Sequence, residues 1–312
     1  VCIFLIQICL AQSKFVNTAI RVIYNTEAIQ DSAYRLAQTI DTPELKRVLY
    51  YLASDSCQGR ELGTPGNDRA SNFISAQLKS YGIPSVFQDS SYFQKVDFNW
   101  VSWAENNITV DDFEYRQIWD YVSIATENES LNLQTDSLIF LGYGIDAPNY
   151  SDYSGIQTEG KVIVIYNGEP KNKSGIHYTN GKTDLSIWST LDQKLKAAKK
   201  HHVKCVFIVE EKFRELADQH RSSLYSPTVV LNNKAKTNPF YVNTVYISST
   251  MFSKILGSNQ KKIIAAREKI NKKGRPKAVY LKLNLNINQS LEVKNIKGKN
   301  ILAYIEGTDK KE

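Results

Sequence analysis

Histidine, cysteine and methionine are scarce in this chain of 312 residues, which has four, four and one of them respectively, and the scarcity excludes much. None of Cys2, Cys9, Cys57 and Cys205 stands in a C-x-x-C pair, which excludes a zinc finger or a vicinal redox dithiol. The histidines are His177, His201, His202 and His220, and no two of them share the i, i+4 spacing that lets one helix offer two metal ligands. His201 and His202 are adjacent, so on a helix they point about 100° apart and leave different faces. No G-x-S-x-G elbow and no phosphate-binding G-x-x-x-x-G-K-[ST] loop occurs, and Gly142-x-Gly144 lacks the third glycine of a dinucleotide fingerprint. No apolar run reaches the roughly 20 residues a bilayer requires, which predicts that there is no transmembrane anchor. The residues by themselves therefore supply no catalytic residue and no metal ligand.

What is present describes an ordered protein. Hydrophobic residues make up 42%, with 18 Tyr and 12 Phe, enough for a sizeable core. The net charge of +7 is unevenly spread, because Lys254 to Lys277 holds nine basic residues against one acid, Glu268. No aromatic residue interleaves those charges, so the stretch reads as the solvated face of a helix, and no nucleic-acid partner is expected. Val1 to Leu10 is apolar apart from Gln7 and is followed by Ala11-Gln12-Ser13. Such a run has the character of a secretory signal peptide, giving a signal remnant over residues 1–12 and an exported protein, periplasmic or extracellular. Cys57 and Cys205 read as two buried thiols, with a disulfide as the alternative.

Along the chain, Thr42-Pro43-Glu44-Leu45 opens a helix with Thr42 as its expected cap. Leu45, Val48, Leu49 and Leu52 recur at i, i+3, i+4 and i+7, which predicts a core-facing stripe. A glycine-rich loop, Cys57-Gln58-Gly59-Arg60-Glu61-Leu62-Gly63-Thr64-Pro65-Gly66, leads into a second helix that stops at Gly82. Farther on, Val162–Tyr166 and Val203–Val209 are apolar runs rich in β-branched residues and predict buried strands around a helix over 191–201. Val279–Ile287 alternates, and Asn300–Ile305 reads as another buried run. Strands separated by helices predict an α/β class. Glu210-Glu211 offers a carboxylate pair, which we read as charged residues closing a strand, and His177 has no acid at ligand spacing.

Two ordered blocks carry a resemblance. The first is Leu52-Ala53-Ser54-Asp55 with Gln58-Gly59-Arg60 and Gly63-Thr64-Pro65-Gly66, followed by the helix through Ala70 to Leu78. The second is Phe140-Leu141-Gly142-Tyr143-Gly144-Ile145, then Tyr150-Ser151-Asp152-Tyr153 and Gly160-Lys161-Val162. Together they resemble the secreted co-catalytic zinc aminopeptidases, relatives of glutamate carboxypeptidase, and the second block is similar to the protease-associated (PA) domain inserted in many of them. One departure is that His201-His202 stand where the insert helix of such proteins often ends in Gly-Ala.

The resemblance implies the N-terminal part of a zinc-peptidase α/β domain interrupted by a PA-type, β-rich α/β insert. It divides the chain into residues 13–119 of the peptidase domain, an insert over 120–257, and a linker helix with the first strands of the catalytic sheet over 258–312. It implies peptide substrates and two zinc ions in the intact parent, with none bound to this chain, because all the zinc ligands would follow Glu312. By the same resemblance Arg60 is a substrate-rim candidate, its loop lying near the mouth of the active site; the alternative is that Arg60 fixes its own loop against a buried carboxylate. A non-catalytic peptide- or protein-binding module is the competing function.

Overall fold

The computed structural model describes residues 34–232 and 242–307. The leader with Cys2 and Cys9, and the terminal Asp309, lie outside the described residues. In chain order the elements are α1 (Thr42–Ala53), α2 (Pro65–Ser80), β1 (Phe93–Val110), β2 (Phe113–Tyr115), β3 (Tyr121–Val122), β4 (Leu131–Phe140), β5 (Asp146–Ala147), β6 (Tyr150–Ser151) and β7 (Val162–Tyr166). Then follow α3 (Leu191–Lys200), β8 (Cys205–Glu210), α4 (Phe213–Tyr225), β9 (Thr228–Leu231), β10 (Asn243–Ser248), α5 (Ser249–Leu256), α6 (Gln260–Lys273) and β11 (Val279–Ile301). The chain forms two compact units, one being Lys95–Gly298 and the other built from the residues on either side of it.

In the Lys95–Gly298 unit the strands run β2-β1-β11-β4-β7-β8-β10-β3, with β9 added to β1. β4, β7, β8 and β10 are mutually parallel neighbours, while β11 and β3 flank them in antiparallel pairing. Parallel strands need crossover connections that cover both faces of the sheet, so their residues are apolar without interruption. Val162, Val164, Cys205, Phe207 and Val209 face a layer containing Phe252, Ile263 and Ile270 of α5 and α6. The alternate residues Ile163, Ile165, Val206 and Ile208 face Leu195 and Ala198 of α3 and Phe213 and Ala217 of α4. In β11 the alternation of VYLKLNLNI is realised, with Leu281, Leu283, Leu285 and Ile287 buried. The mixed α/β class therefore follows directly from sequence periodicity. Cys57 and Cys205 are both free and buried, and burial pushes the Cys205 thiol up to about 12.

The connection from β4 to β7 is held by one carboxylate. Asp152 is buried; its Oδ2 accepts the backbone N–H groups of Tyr143 (3.0 Å) and Ile145 (3.1 Å), and its Oδ1 accepts the Tyr150 hydroxyl (2.6 Å). The backbone can present both amides because Gly142 adopts φ +56°, and a Cβ there would stand 2.6 Å from Asp152 Oδ1. The β5–β6 hairpin carries Tyr150 and delivers Asp152 to this turn.

The compact Lys95–Gly298 unit and the 120–257 insert expected from the resemblance differ at both ends. β1 and β11 belong to the same sheet, linked by Asn286 to Thr109 (3.3 Å), Asn288 to Glu105 (2.9 Å) and Gln289 to Asn106 (2.8 Å). Helix α6, read from sequence as a linker, supplies Ile263, Ala266 and Ile270 to the core of this unit.

In the flanking unit, α1 is capped by Asp41, whose Oδ1 accepts the Glu44 N–H at 2.8 Å, and not by the expected Thr42. A carboxylate one residue earlier leaves Pro43 in the first turn and does the same work. The predicted core stripe of α1 is not buried: Leu45 is 50% and Leu49 61% exposed. Among the described residues no apolar layer covers that face. The run 300–305 is likewise not a buried strand, since β11 ends at Ile301 and Ile305 is 73% exposed. It is tied by Leu302 donating to the Tyr92 carbonyl, by Tyr304 donating to that of Pro84, and by Asn300 Nδ2 donating to Gln94 Oε1 at 3.0 Å. Gly142→Ala is expected to lower unfolding stability by about 3 kcal/mol, because the methyl group displaces Asp152 and positive φ disfavours any side chain. Urea denaturation of the purified variant against the parent measures this.

Candidate functional site

Arg60 sits at the end of a tight 3-10 turn, Asp55–Arg60, in which Gln58 (φ +47°), Gly59 (φ +66°) and Arg60 (φ +61°) all take left-handed backbone. Its guanidinium donates to the Leu52 carbonyl at 2.7 Å, and its own carbonyl accepts from Asn67 Nδ2 at 3.0 Å. The structure therefore gives Arg60 a loop-fixing bond to α1, through a backbone carbonyl instead of a carboxylate. Gly66 closes the same loop, since a Cβ there would come within 2.2 Å of the Cys57 carbonyl oxygen.

The carboxyl end of β7 gathers the titratable groups of the larger unit. Lys194 is buried on α3, and its Nζ donates to the carbonyls of Tyr166 (3.1 Å) and Gly168 (2.6 Å). Burial lowers its pKa to about 8, with Asp152 and Glu169 opposing the fall. Burial raises Asp152 to about 6, against the pull of the Tyr150 hydroxyl and the two backbone amides. The buried Asp152 carboxyl thus holds the turn at Tyr143 and Ile145, and the buried Lys194 amino group holds the carbonyls of Tyr166 and Gly168. Glu169 accepts from Ser186 N and Oγ (2.6 Å each) and from the Thr179 hydroxyl. His177, which shows no acid at ligand spacing in sequence, is buried with Nδ1 3.7 Å from Glu169 Oε1. Lys194, Asp152 and Glu169 are satisfied by backbone and hydroxyl groups, whereas His177 Nδ1 is buried without a hydrogen-bond partner among the described residues.

An open cavity of about 360 Å3 lies at the carboxyl ends of β8 and β10, where open α/β sheets generally place their ligands. Its walls include Trp119, Glu210, Lys212, Arg214 and Ser248. Trp119 is 57% exposed, with the Arg116 and Arg214 guanidinium carbons 5.8 and 5.7 Å from its ring centre. The turn that presents it holds Ile118 at φ +73°, an unfavourable conformation for a β-branched residue. It is fixed by Ile118 N–H to the Tyr121 carbonyl (2.6 Å) and Asp120 N–H to that of Arg116 (2.8 Å). Glu210 and Glu211, adjacent in sequence, do not form a working pair: Glu210 accepts from Asn167 (2.7 Å) and Glu211 turns to Arg267 (3.5 Å). The Ser248 hydroxyl accepts the Met251 N–H as the cap of α5. The cavity thus offers an aromatic surface and mixed charge, suited to holding a ligand, and no activated nucleophile lines it.

The described residues offer no ligand set for a zinc ion. Among the described residues no three His, Cys, Asp or Glu side chains come together. His201 lies against Asp146, Nε2 to Oδ2 2.9 Å, and stacks on Tyr153 at 4.2 Å between ring centres. His202 leaves α3 at φ +53°. Among the described residues no helix is long and apolar enough to cross a membrane.

No family model and no curated protein matches the chain. Among solved structures it is similar to an aminopeptidase from Aneurinibacillus sp. strain AM-1, with 14% identity and a TM-score of 0.41 over 84% of this chain and 49% of that one. The chain spans about half the length of that enzyme.

The sequence assigned no site role to Lys194, whose helix segment resembles that of the PA-type insert, or to Trp119. The signal for Lys194 was available, because Leu191, Lys194, Leu195 and Ala198 fall at i, i+3, i+4 and i+7, which puts a lysine within an apolar stripe. Trp119 has no such signal, since its exposure depends on the turn at Ile118.

Asp146 provides a pH test of the α3 end. Burial pushes its carboxyl up, but hydrogen bonds from Lys200 (2.7 Å), His201 and Ser151 (2.8 Å) outweigh this and hold it at about 2, below its ordinary 3.8. A depressed carboxyl stabilises the fold above its unfolded pKa and loses that contribution as pH falls through the folded one. Asp146→Asn is therefore expected to destabilise the protein at pH 6 and to flatten the decline in stability between about pH 4 and pH 2. Parallel urea titrations at several pH values check both parts.

Proposed function

We propose that this chain is the peptide-contacting, non-catalytic portion of a peptidase-like hydrolase, exported and dependent in its intact form on zinc bound by residues outside the sequence described. The observation that carries the reading is an insertion. The chain leaves the flanking unit after Gln94, builds the Lys95–Gly298 unit, and returns at Lys299. On returning it rejoins the segment it left, with Ala303 bridging Ser85. An α/β unit interrupting another unit supports this reading, although its bounds, Lys95–Gly298, differ from the 120–257 that the resemblance implies.

The uncovered face of α1 supports the same reading. Among the described apolar side chains of the flanking unit, Cys57, Ala70 and Tyr92 are buried. The stripe of Leu45 and Leu49 is the kind of surface that a larger sheet covers. In the inserted unit, the Trp119 cavity supplies the peptide-contacting surface.

The reading frame beyond Glu312 tests the proposal. A continuation is expected to encode a His-x-Asp motif shortly after the last residue, and the extended protein is expected to release N-terminal residues from peptides in a chelator-sensitive manner. The 312-residue chain by itself is expected to release none. An extended protein that binds zinc but hydrolyses no peptide, or a continuation with no such motif, overturns it.

A further inference from the structure

The basic stretch Lys254–Lys277 has no role in the reading above, and the structure gives part of it a shape. Helix α6 and the approach to β11 form a groove of about 420 Å3. Its floor is Ala265, Ala266, Ala278 and Val279, and its rim is Lys262, Lys269 and Lys277. Lys262, Ala265, Ala266 and Lys269 fall at i, i+3, i+4 and i+7, one face of α6, so the two helical lysines stand about 10 Å apart along the axis.

The other charges of the segment are engaged elsewhere. Arg267 lies over the Tyr166 ring at 4.1 Å and reaches Glu211. Glu268, the one acid in the stretch, pairs with Lys272 at 3.4 Å. Among the described residues none of the three rim lysines forms an ion pair, and Lys262 donates only to the neutral Asn259 side chain at 3.1 Å. A merely solvated lysine face needs no apolar floor, and here three like charges surround one.

We propose that this groove docks an acidic segment of a partner protein. A small apolar side chain of the segment seats on the alanine floor, and carboxylates about 10 Å apart, as at i and i+7 of a helix, meet Lys262 and Lys269. Lys277 closes the open side. Charge complementarity names this occupant over the other polyanions. No aromatic residue lines the groove for bases to stack on, and no apolar side chain lining it is larger than Val279, which offers little to a bilayer.

The test uses the full 312-residue chain and a fluorescent helical peptide with two glutamates seven residues apart around a central valine. Anisotropy is expected to show binding that weakens with added salt. The triple variant Lys262→Glu/Lys269→Glu/Lys277→Glu is expected to weaken it about tenfold or more. Ala265→Arg adds a favourable charge but fills the floor, so it too is expected to weaken binding. The charge-matched control Lys171→Glu/Lys173→Glu/Lys182→Glu, at exposed lysines outside the groove, is expected to leave it in place. All variants are compared by thermal melting, so that a loss of fold is distinguished from a loss of docking. Equal weakening by the control, equal binding of a glutamine-substituted peptide, or tighter binding by Ala265→Arg overturns the proposal. Lysine-dependent binding of phosphatidylglycerol vesicles without binding of the peptide overturns it in favour of a membrane.

Discussion

The larger unit depends on a charge placed where charge is expensive. Asp152 is buried, and an isolated carboxylate there would be prohibitively unfavourable. It is retained because two backbone amides and the Tyr150 hydroxyl surround it and because Lys194 brings an ammonium into the same region. Each member constrains the next. Asp152 holds the Gly142–Ile145 turn; the turn directs the chain from β4 into the hairpin and on to β7; and Lys194 satisfies the carbonyls with which β7 ends. Removing one partner strands the others, so such networks behave as a unit and specify one arrangement of the loop.

That network explains how much could be read in advance. The buried strands at 162–166 and 205–210 were legible because strands covered on both faces must be apolar throughout, a signal independent of any distant partner. The glycines of the turn were legible as punctuation, yet what they accommodate, the Asp152 carboxylate, is contributed from ten residues away and needed the structure. The periodicity of α1 was read correctly as amphipathic and wrongly as buried. Amphipathicity states that a face requires covering; it does not state that the covering residues lie within the same sequence. Asn300–Ile305 fails for the same reason, because composition shows what a strand would favour and pairing depends on neighbours.

The candidate site was less legible than the fold. Arg60 was singled out, and its guanidinium is occupied by the Leu52 carbonyl, an interaction that depends on the three successive left-handed residues that carry the side chain back to α1. Glu169 and His177 are eight residues apart with no helical or strand spacing to relate them, and only the loop between them brings the rings and carboxylates together. Trp119 becomes a surface feature through one strained residue beside it. For Arg60 and Trp119 the decisive quantity is a backbone angle, which is set by tertiary context more than by local preference.

The interruption of one unit by another also sets an order of assembly. The two pieces of the flanking unit are separated by the 204 residues from Lys95 to Gly298. A ribosome needs about 10–40 s to add that length at about 5–20 residues per second. Throughout that interval α1 has been synthesised but the strand segment that bridges Ser85 has not, and the apolar residues Leu45 and Leu49 face the solvent. The inserted unit, whose strands and helices are complete once Gly298 emerges, can fold within that window and then bring Gln94 and Lys299 together, because β1 and β11 belong to one sheet. Folding of the insert in this sense shortens the gap between Gln94 and Lys299 from 204 residues of chain to the width of one sheet pairing.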